Sequence, residues 1–170
     1  MDLNMKRVSK AEVLAQNAII DFDREFRFLS NFGAGPVTMY GIEFKTVEHA
    51  FAAAKIDPKD PRGHKVDPYT QMRTIAGKGT PGEAKKAGRR VQMREDWDDI
   101  KPQLVLELVR RKFADPILAK KLLATGERPL YEGNTWGDRI WGVVEKNGIL
   151  EGRNLLGEIL MTVRAELRAA

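Results

Sequence analysis

Thr46-Val47-Glu48-His49-Ala50-Phe51-Ala52-Ala53-Ala54-Lys55 carries the reading of the fold. Thr46 can accept a backbone N–H at a helix start, and Val47, Ala50, Phe51 and Ala54 recur at helical spacing, which predicts an amphipathic helix capped by Thr46. Glu48 and Lys55 are seven residues apart, about two helical turns, so they share a face. Ala52 lies between them, and its small side chain predicts space beside the pair. A carboxyl and an amine facing one cavity suit acid–base and nucleophilic chemistry, especially at a sugar carbon. A plainer reading stands beside it: Glu48 complements the helix dipole and Lys55 is solvated near the helix end. His49, about 100° further round the helix, reads as a packing or capping residue.

Helical signals continue on both sides. Ser9-Lys10-Ala11-Glu12 has the capping-box pattern and predicts a short helix over residues 10–19. Val37 to Phe44, with Tyr40-Gly41 at its centre, reads as a hairpin. Residues 57–82, rich in Pro, Gly and charge, predict a loop with one helical turn near Tyr69 to Ile75. Thr80-Pro81-Gly82-Glu83 combines a capping Thr, a first-turn Pro and a Glu three residues on. Asp98 or Asp99 opens a helix bearing Leu104, Val105, Leu108, Val109 and Phe113, and Asp115-Pro116 opens another that ends near Thr125-Gly126. A last helix from about Asn154 carries Leu156, Leu160, Val163 and Leu167 on one stripe. A strand is expected over residues 140–144. The fold class is mainly α, a compact single domain with a small β-hairpin.

Composition bounds the chemistry. The 170 residues, 42% hydrophobic and 31% charged, suit one globular domain. Cysteine is absent, which removes disulfides, thiolate nucleophiles and Cys-based zinc sites, and only His49 and His64 are present, so no metal is expected. No apolar stretch is long enough to span a membrane, and the N-terminus lacks the apolar segment of a signal peptide. A soluble cytoplasmic protein is expected. The net charge of +5 is concentrated between Lys55 and Lys112, where fifteen basic and nine acidic residues leave a local +6. That region suits phosphate-bearing ligands or nucleic acid, or is simply a solvated basic surface.

A second group follows Tyr131. Glu132, Trp136, Asp138 and Trp141 sit in a Gly-punctuated stretch, and carboxylates beside large flat rings suit a nucleobase or sugar site. A surface loop anchored by one buried Trp fits the same residues. Gly77-Lys78-Gly79-Thr80 and Gly152-Arg153-Asn154 each precede a helix and are weak anion-site candidates. Arg89 follows a Gly and could approach a phosphate.

These blocks together resemble the NADAR (YbiA-like) family. The resemblance rests on Phe28 to Phe32, Thr46 to Phe51 with Lys55, Ala84 to Arg89, and Asp96-Trp97-Asp98 with Lys101. It continues through Arg111-Lys112-Phe113, Leu123 to Gly126, Leu130-Tyr131-Glu132, Asp138 to Gly142, Gly152 to Gly157 and Leu160 to Arg164. It covers about residues 22–168, which divides the chain into an N-terminal extension with a short helix (1–21) and the family domain (22–170). The resemblance implies a compact helical fold, no cofactor, and hydrolysis of an N-glycosyl bond between a ribose C1′ and a base-like nitrogen. The implied substrates are ADP-ribose attached to guanine, in DNA or as a nucleotide, or phosphoribosylamino-pyrimidine intermediates of riboflavin synthesis. A binding module for ADP-ribose or nucleic acid is the non-catalytic alternative. The resemblance implies reactive roles for Glu48, Lys55 and Asp138, with Lys55 forming a Schiff base. It implies substrate contacts for Ser30, Asn31, Phe32, Arg89, Trp97, Trp141 and Asn154. Two departures bear on pocket shape: many members read Trp-Gly-x-Gly where this chain has Trp141-Gly142-Val143-Val144, and Gln within the stretch that here is Ala52-Ala53-Ala54.

Overall fold

A computed structural model describes residues 5–170. The first four residues of the expected 1–21 extension lie outside the described residues. In chain order the elements are β1 (Lys6–Ser9), α1 (Lys10–Ala15), a 3-10 helix (Arg24–Leu29), β2 (Val37–Met39), β3 (Ile42–Phe44), α2 (Val47–Ala53) and α3 (Pro68–Ala76). They continue with α4 (Pro81–Gly88), α5 (Trp97–Lys112), α6 (Pro116–Ala124), β4 (Gly133–Asn134), β5 (Val143–Lys146), β6 (Ile149–Gly152) and α7 (Leu155–Ala169). The chain forms two compact units: one takes in the chain up to Ser30 together with Pro116–Ala170, the other is Asn31–Asp115. Among the described residues no helix is long and apolar enough to cross a membrane.

The second unit is helical around a small hairpin. In β2–β3, Val37 pairs with Phe44 and Met39 with Ile42. Tyr40 and Gly41, at φ 53° and 70°, form the left-handed turn that such a two-residue hairpin needs. The core gathers Val37, Phe44, Val47, Ala50, Ala53, Ile56, Met72, Ile75, Ala84, Trp97 and Leu108. The Pro/Gly-rich stretch expected to be loop contains a nine-residue helix, α3. Asp67 caps it by accepting the Thr70 N–H at 2.7 Å, Pro68 opens it, and Met72 and Ile75 anchor it in the core. Burial of those two side chains outweighs the loop-like composition of the segment before it.

The first unit holds more sheet than the expected single strand. Its four strands run β1-β6-β5-β4, with β4 and β5 parallel and the other pairs antiparallel. The strand expected over residues 140–144 lies instead at Val143–Lys146. It turns back at Asn147-Gly148, both at positive φ, an Asn-Gly hairpin signal that the sequence carries openly. β1 pairs with β6 from Lys6 opposite Gly152 to Ser9 opposite Ile149, and the helix expected over residues 10–19 ends at Ala15. Mainly α therefore holds as a rough description, with a substantial sheet added.

Asn154, read as a substrate contact, is fully buried. Its side-chain oxygen accepts the Glu132 N–H at 3.0 Å and its amide donates to the Leu130 carbonyl at 2.8 Å. Its φ of 54° lies in the left-handed region that Asn tolerates better than most residues. Asn154 thus ties the entry of α7 to the 130–132 segment. The nearby anion-site candidate is closed too: Arg153, Asn154, Leu155 and Leu156 donate their N–H groups to the carbonyls of Arg139, Gly142, Ile140 and Trp141. Asn154→Ala is expected to cost about 2–4 kcal/mol, because two buried backbone groups lose their partner and the left-handed backbone is strained. Urea unfolding should show this as a lowered midpoint at unchanged slope; a change within 0.5 kcal/mol would contradict the structural role.

Candidate active site

The site grows from the start of α2. The Thr46 hydroxyl oxygen accepts the His49 N–H at 3.2 Å and lies 2.8 Å from His49 Nδ1. His49 Nε2 is 3.1 Å from the Lys78 carbonyl, which can only accept, so Nε2 carries the proton and Nδ1 receives the Thr46 hydroxyl. His49 is fully buried, and burial holds its imidazole below the usual range. It is the capping and packing residue that its position predicts. The Glu48 N–H donates to the Asn31 carbonyl at 3.0 Å, fixing the first turn of α2 against the segment that precedes the hairpin.

Glu48, 8% exposed, keeps its carboxyl buried. Burial raises its pKa to about 7, although Lys85, Lys55 and Arg89 each pull it down. Lys55 follows the Ala54 cap of α2, with its carbonyl receiving the Arg94 N–H at 2.8 Å. Its ammonium lies 5.8 Å from the centre of the Trp97 ring, which in turn packs on Phe51 at 4.9 Å. Burial pushes the Lys55 amine down from its ordinary range; Glu48 opposes this, while Arg89, Lys85 and Lys101 add to it. A carboxyl drawn towards its neutral form thus faces an amine drawn towards its neutral form. That is the combination a proton donor and a nucleophile require.

The space expected beside Ala52 is filled. A Cβ on Gly88 would lie only 2.8 Å from the Ala52 Cβ, so α4 closes onto α2 at a contact between two of the smallest side chains. On α4, Lys85 and Arg89 bracket Gly88, and the closure brings both cations to the Glu48–Lys55 face. The Lys85 ammonium is 5.7 Å from the centre of the Phe32 ring. On α5, Lys101 donates to Asp98 at 2.5 Å. Lys85 and Lys101 lie in the sequence blocks quoted above but were not read as site residues, because the Gly88–Ala52 contact that brings α4 to α2 joins positions distant in the sequence.

The other predicted residues fall as follows. Asn31 contributes its carbonyl, Phe32 carries Lys85, and Arg89 is exposed at the end of α4. Trp97 is 6% exposed, between Lys55 and Phe51, and so presents little free ring. Ser30, Asp138, Trp141 and Asn154 belong to the first unit. Ser30 is buried at the end of the 3-10 helix. Asp138 accepts the Ile140 and Trp141 N–H groups, each at 2.9 Å, and braces its own loop. The Gly77 to Thr80 anion candidate is taken by the helix itself, since Glu83 accepts the Gly79 and Thr80 N–H groups. Elsewhere in the basic region, Arg62, Arg94 and Arg73 pair with Asp60, Asp96 and Asp67. Those cations are locally balanced, in contrast to the group around Glu48.

Comparison with known proteins adds a further line. The model of the NADAR domain matches residues 20–168. The N-glycosidase YbiA of Escherichia coli is 30% identical over 167 residues, 95% of this chain and 96% of that protein. An N-glycosidase of Nostoc punctiforme is 35% identical over 145 residues, 82% of this chain and 84% of that protein. A riboflavin biosynthesis protein of Vibrio vulnificus is 34% identical over 149 residues, and the chain spans only 37% of its length. The NMR structure of E. coli YbiA superposes with a TM-score of 0.68 at 30% identity, covering 91% of this chain and 87% of that one.

The raised pKa of Glu48 sets a pH dependence of stability. Its folded pKa of about 7 lies above the ordinary 4.5, so the folded state binds the extra proton between those values. The carboxyl's contribution is full below pH 4.5 and is lost as pH rises through 7. Glu48→Gln removes this loss and should gain on the wild type by up to roughly 3 kcal/mol between pH 4 and pH 8. Urea midpoints at both pH values check it; a difference between the two proteins that does not change with pH would contradict the buried, proton-binding carboxyl.

Proposed function

This chain belongs to the NADAR domain family, and on that premise we propose that it is an N-glycosidase that hydrolyses a ribose C1′–N bond, with Glu48 as proton donor and Lys55 as nucleophile. The observation that carries the reading is the Glu48–Lys55 pair, where a buried carboxyl of pKa about 7 meets a half-buried amine of lowered proton affinity. Relatives named as N-glycosidases support the reaction type.

In the proposed reaction, Glu48 gives its proton to the departing base nitrogen as C1′ acquires oxocarbenium character. The neutral Lys55 amine forms a bond to C1′ while the C1′–N bond breaks. The Lys55 proton passes to the Glu48 carboxylate, Glu48 gives it on to the ring oxygen as the C1′–O bond breaks, and the ring opens to a protonated Schiff base between Lys55 and C1′. Water adds to C1′ and releases the sugar, restoring the amine. Burial raises the Glu48 carboxyl to about 7 and lowers the Lys55 amine from its ordinary range, which favours the proton-donor and nucleophile forms of the pair. Arg89 and Lys85 lend positive charge for phosphate groups on the sugar side, and Asn31 and Phe32 line the approach to Glu48.

The preferred substrate is ADP-ribose attached to guanine, in nucleic acid or as a nucleotide, which suits the basic residues converging on this face. A ribosylamino-pyrimidine of riboflavin synthesis is the second reading, favoured by the riboflavin biosynthesis protein among the relatives. A cytoplasmic setting fits either substrate. Incubation with an oligonucleotide bearing ADP-ribosyl-guanine, read by mass spectrometry, tests the reading. The wild type should release ADP-ribose and plain guanine, and Lys55→Ala should lose at least about 100-fold in rate while staying folded. Release by the ribosylamino-pyrimidine alone would move the assignment to the second substrate. Equal turnover by Lys55→Ala would overturn the covalent step, and binding of both ligands without hydrolysis would overturn the enzyme in favour of a binding module.

A further inference from the structure

We propose that Trp97 is a positioning residue of the reaction: its ring seats the Lys55 nitrogen, and holds it whenever that nitrogen carries positive charge, instead of stacking on the substrate. The proposal rests on the reading of Lys55 as the nucleophile and assigns the group that holds it in place.

One short stretch of chain grips Lys55 at both ends of the residue. The Lys55 backbone carbonyl accepts the Arg94 N–H at 2.8 Å. Its ammonium lies 5.8 Å from the centre of the Trp97 ring, within reach of a cation–π attraction. The stretch from Arg94 to Trp97 is itself braced. The Arg94 guanidinium donates to Asp96 at 2.5 and 3.0 Å and lies 4.0 Å from Asp57, so it ties the residue before Trp97 to the segment just after Lys55. Asp96 is also the cap of α5, which fixes the backbone of Trp97 as the first residue of that helix. The Trp97 ring packs on Phe51 of α2 at 4.9 Å, with the two planes tilted by 52°. With the residue only 6% exposed, Phe51, Lys55 and the surrounding core leave little of the ring for a base to stack on.

A lysine stem is long and freely rotating, and a fixed ring beneath its ammonium removes much of that freedom before substrate arrives. The ring's attraction acts on charge alone. It favours the ammonium over the neutral amine by less than about one pKa unit. Burial works against it as the leading cause of the lowered amine; Glu48 from α2 supports the charged form, while Arg89 and Lys85 from α4 and Lys101 from α5 oppose it. α3 and the hairpin give apolar Met72, Ile75, Val37 and Phe44 to the same core. After the ring of the sugar opens, the same nitrogen is the cation of the protonated Schiff base, and the Trp97 ring then favours the bonded state. One aromatic side chain thus aims the amine before attack and holds the charged intermediate after it.

Replacing tryptophan throughout by mono-, di- and trifluorotryptophan withdraws charge from the ring face in steps at almost unchanged shape, and leaves every ionisable neighbour of Lys55 in place. The readout is the pH midpoint for acetylation of Lys55 by acetic anhydride in the free protein, followed by peptide mass spectrometry. The midpoint should fall with fluorine content, by roughly a few tenths of a unit in all. Of the three tryptophans only Trp97 should matter, so the shift should persist in Trp136→Phe/Trp141→Phe and vanish in Trp97→Phe. A midpoint that stays in place in the folded trifluorinated protein, or moves equally in Trp97→Phe, would overturn the proposal. If the fluorinated protein fails to fold, unfluorinated Trp97→Phe decides: a weaker ring lowers the midpoint, whereas lost packing alone admits water and raises it, so a rise or no change would overturn the seat. Turnover separates seating from stacking. Trp97→Phe should lower kcat on the order of 10-fold with KM within about two-fold, while a raised KM at unchanged kcat would assign the ring to the substrate and overturn the proposal. A shifted midpoint in a protein whose Lys55→Ala variant is fully active would keep the seat of the amine and refute only the nucleophilic role of Lys55.

Discussion

The contact on which the site depends is the one between Ala52 and Gly88. Helix axes normally pack 8–10 Å apart, with the side chains at the contact setting the spacing. With a methyl on one side and a hydrogen on the other, α4 lies so near α2 that even one added carbon would be 2.8 Å from its neighbour. Inserting a methylene into such a contact costs typically about 1–3 kcal/mol. The closeness also sets the electrostatics, because Gly88 is flanked by Lys85 and the cap residue Arg89, and Ala52 by Glu48 and Lys55. A wider spacing would leave four charged side chains to water, where their mutual effects are screened.

Burial and charge act in opposition on Glu48 and together on Lys55. For the carboxyl, removal from water raises the pKa and three cations lower it; burial wins, and the result is about 7. For the amine, burial and three neighbouring cations all favour the neutral form, against Glu48 alone. At an effective dielectric of about 20, one unit charge roughly 6 Å away is worth on the order of 2–3 kcal/mol, enough to move a pKa by one to two units. Few residues are therefore needed to produce the tuning, and their placement matters more than their number. The aromatic rings of Phe32 and Trp97 take part by fixing two long, flexible stems.

Much of this was legible in the chain. The Thr46 cap, the Tyr40-Gly41 turn and the Thr80 to Glu83 capping box are local patterns, and local patterns survive folding. What depends on distant partners was not. Ala52 read as open space because nothing local shows Gly88 arriving from thirty-six positions later. The Gly79-Thr80 and Arg153-Asn154 segments read as anion sites because the groups that satisfy their N–H donors, Glu83 and the carbonyls of residues 139–142, are fixed only in the fold. Asn154 as a substrate contact comes from the family resemblance, and the hydrogen bonds that this buried residue makes to residues 130–132 are likewise fixed only in the fold; the α3 helix was hidden by the loop composition that leads into it. The Asn147-Gly148 hairpin is the exception, a local signal that was available and passed over.

The central claim is that Lys55 becomes covalently joined to the sugar during turnover. Adding sodium borohydride while the protein turns over ADP-ribosyl-guanine reduces any imine to a stable secondary amine, and peptide mass spectrometry then locates it. The account predicts one ADP-ribose-derived adduct per chain, on the peptide containing Lys55. Hydrolysis that continues in borohydride with no adduct, or an adduct on a different lysine, would contradict it.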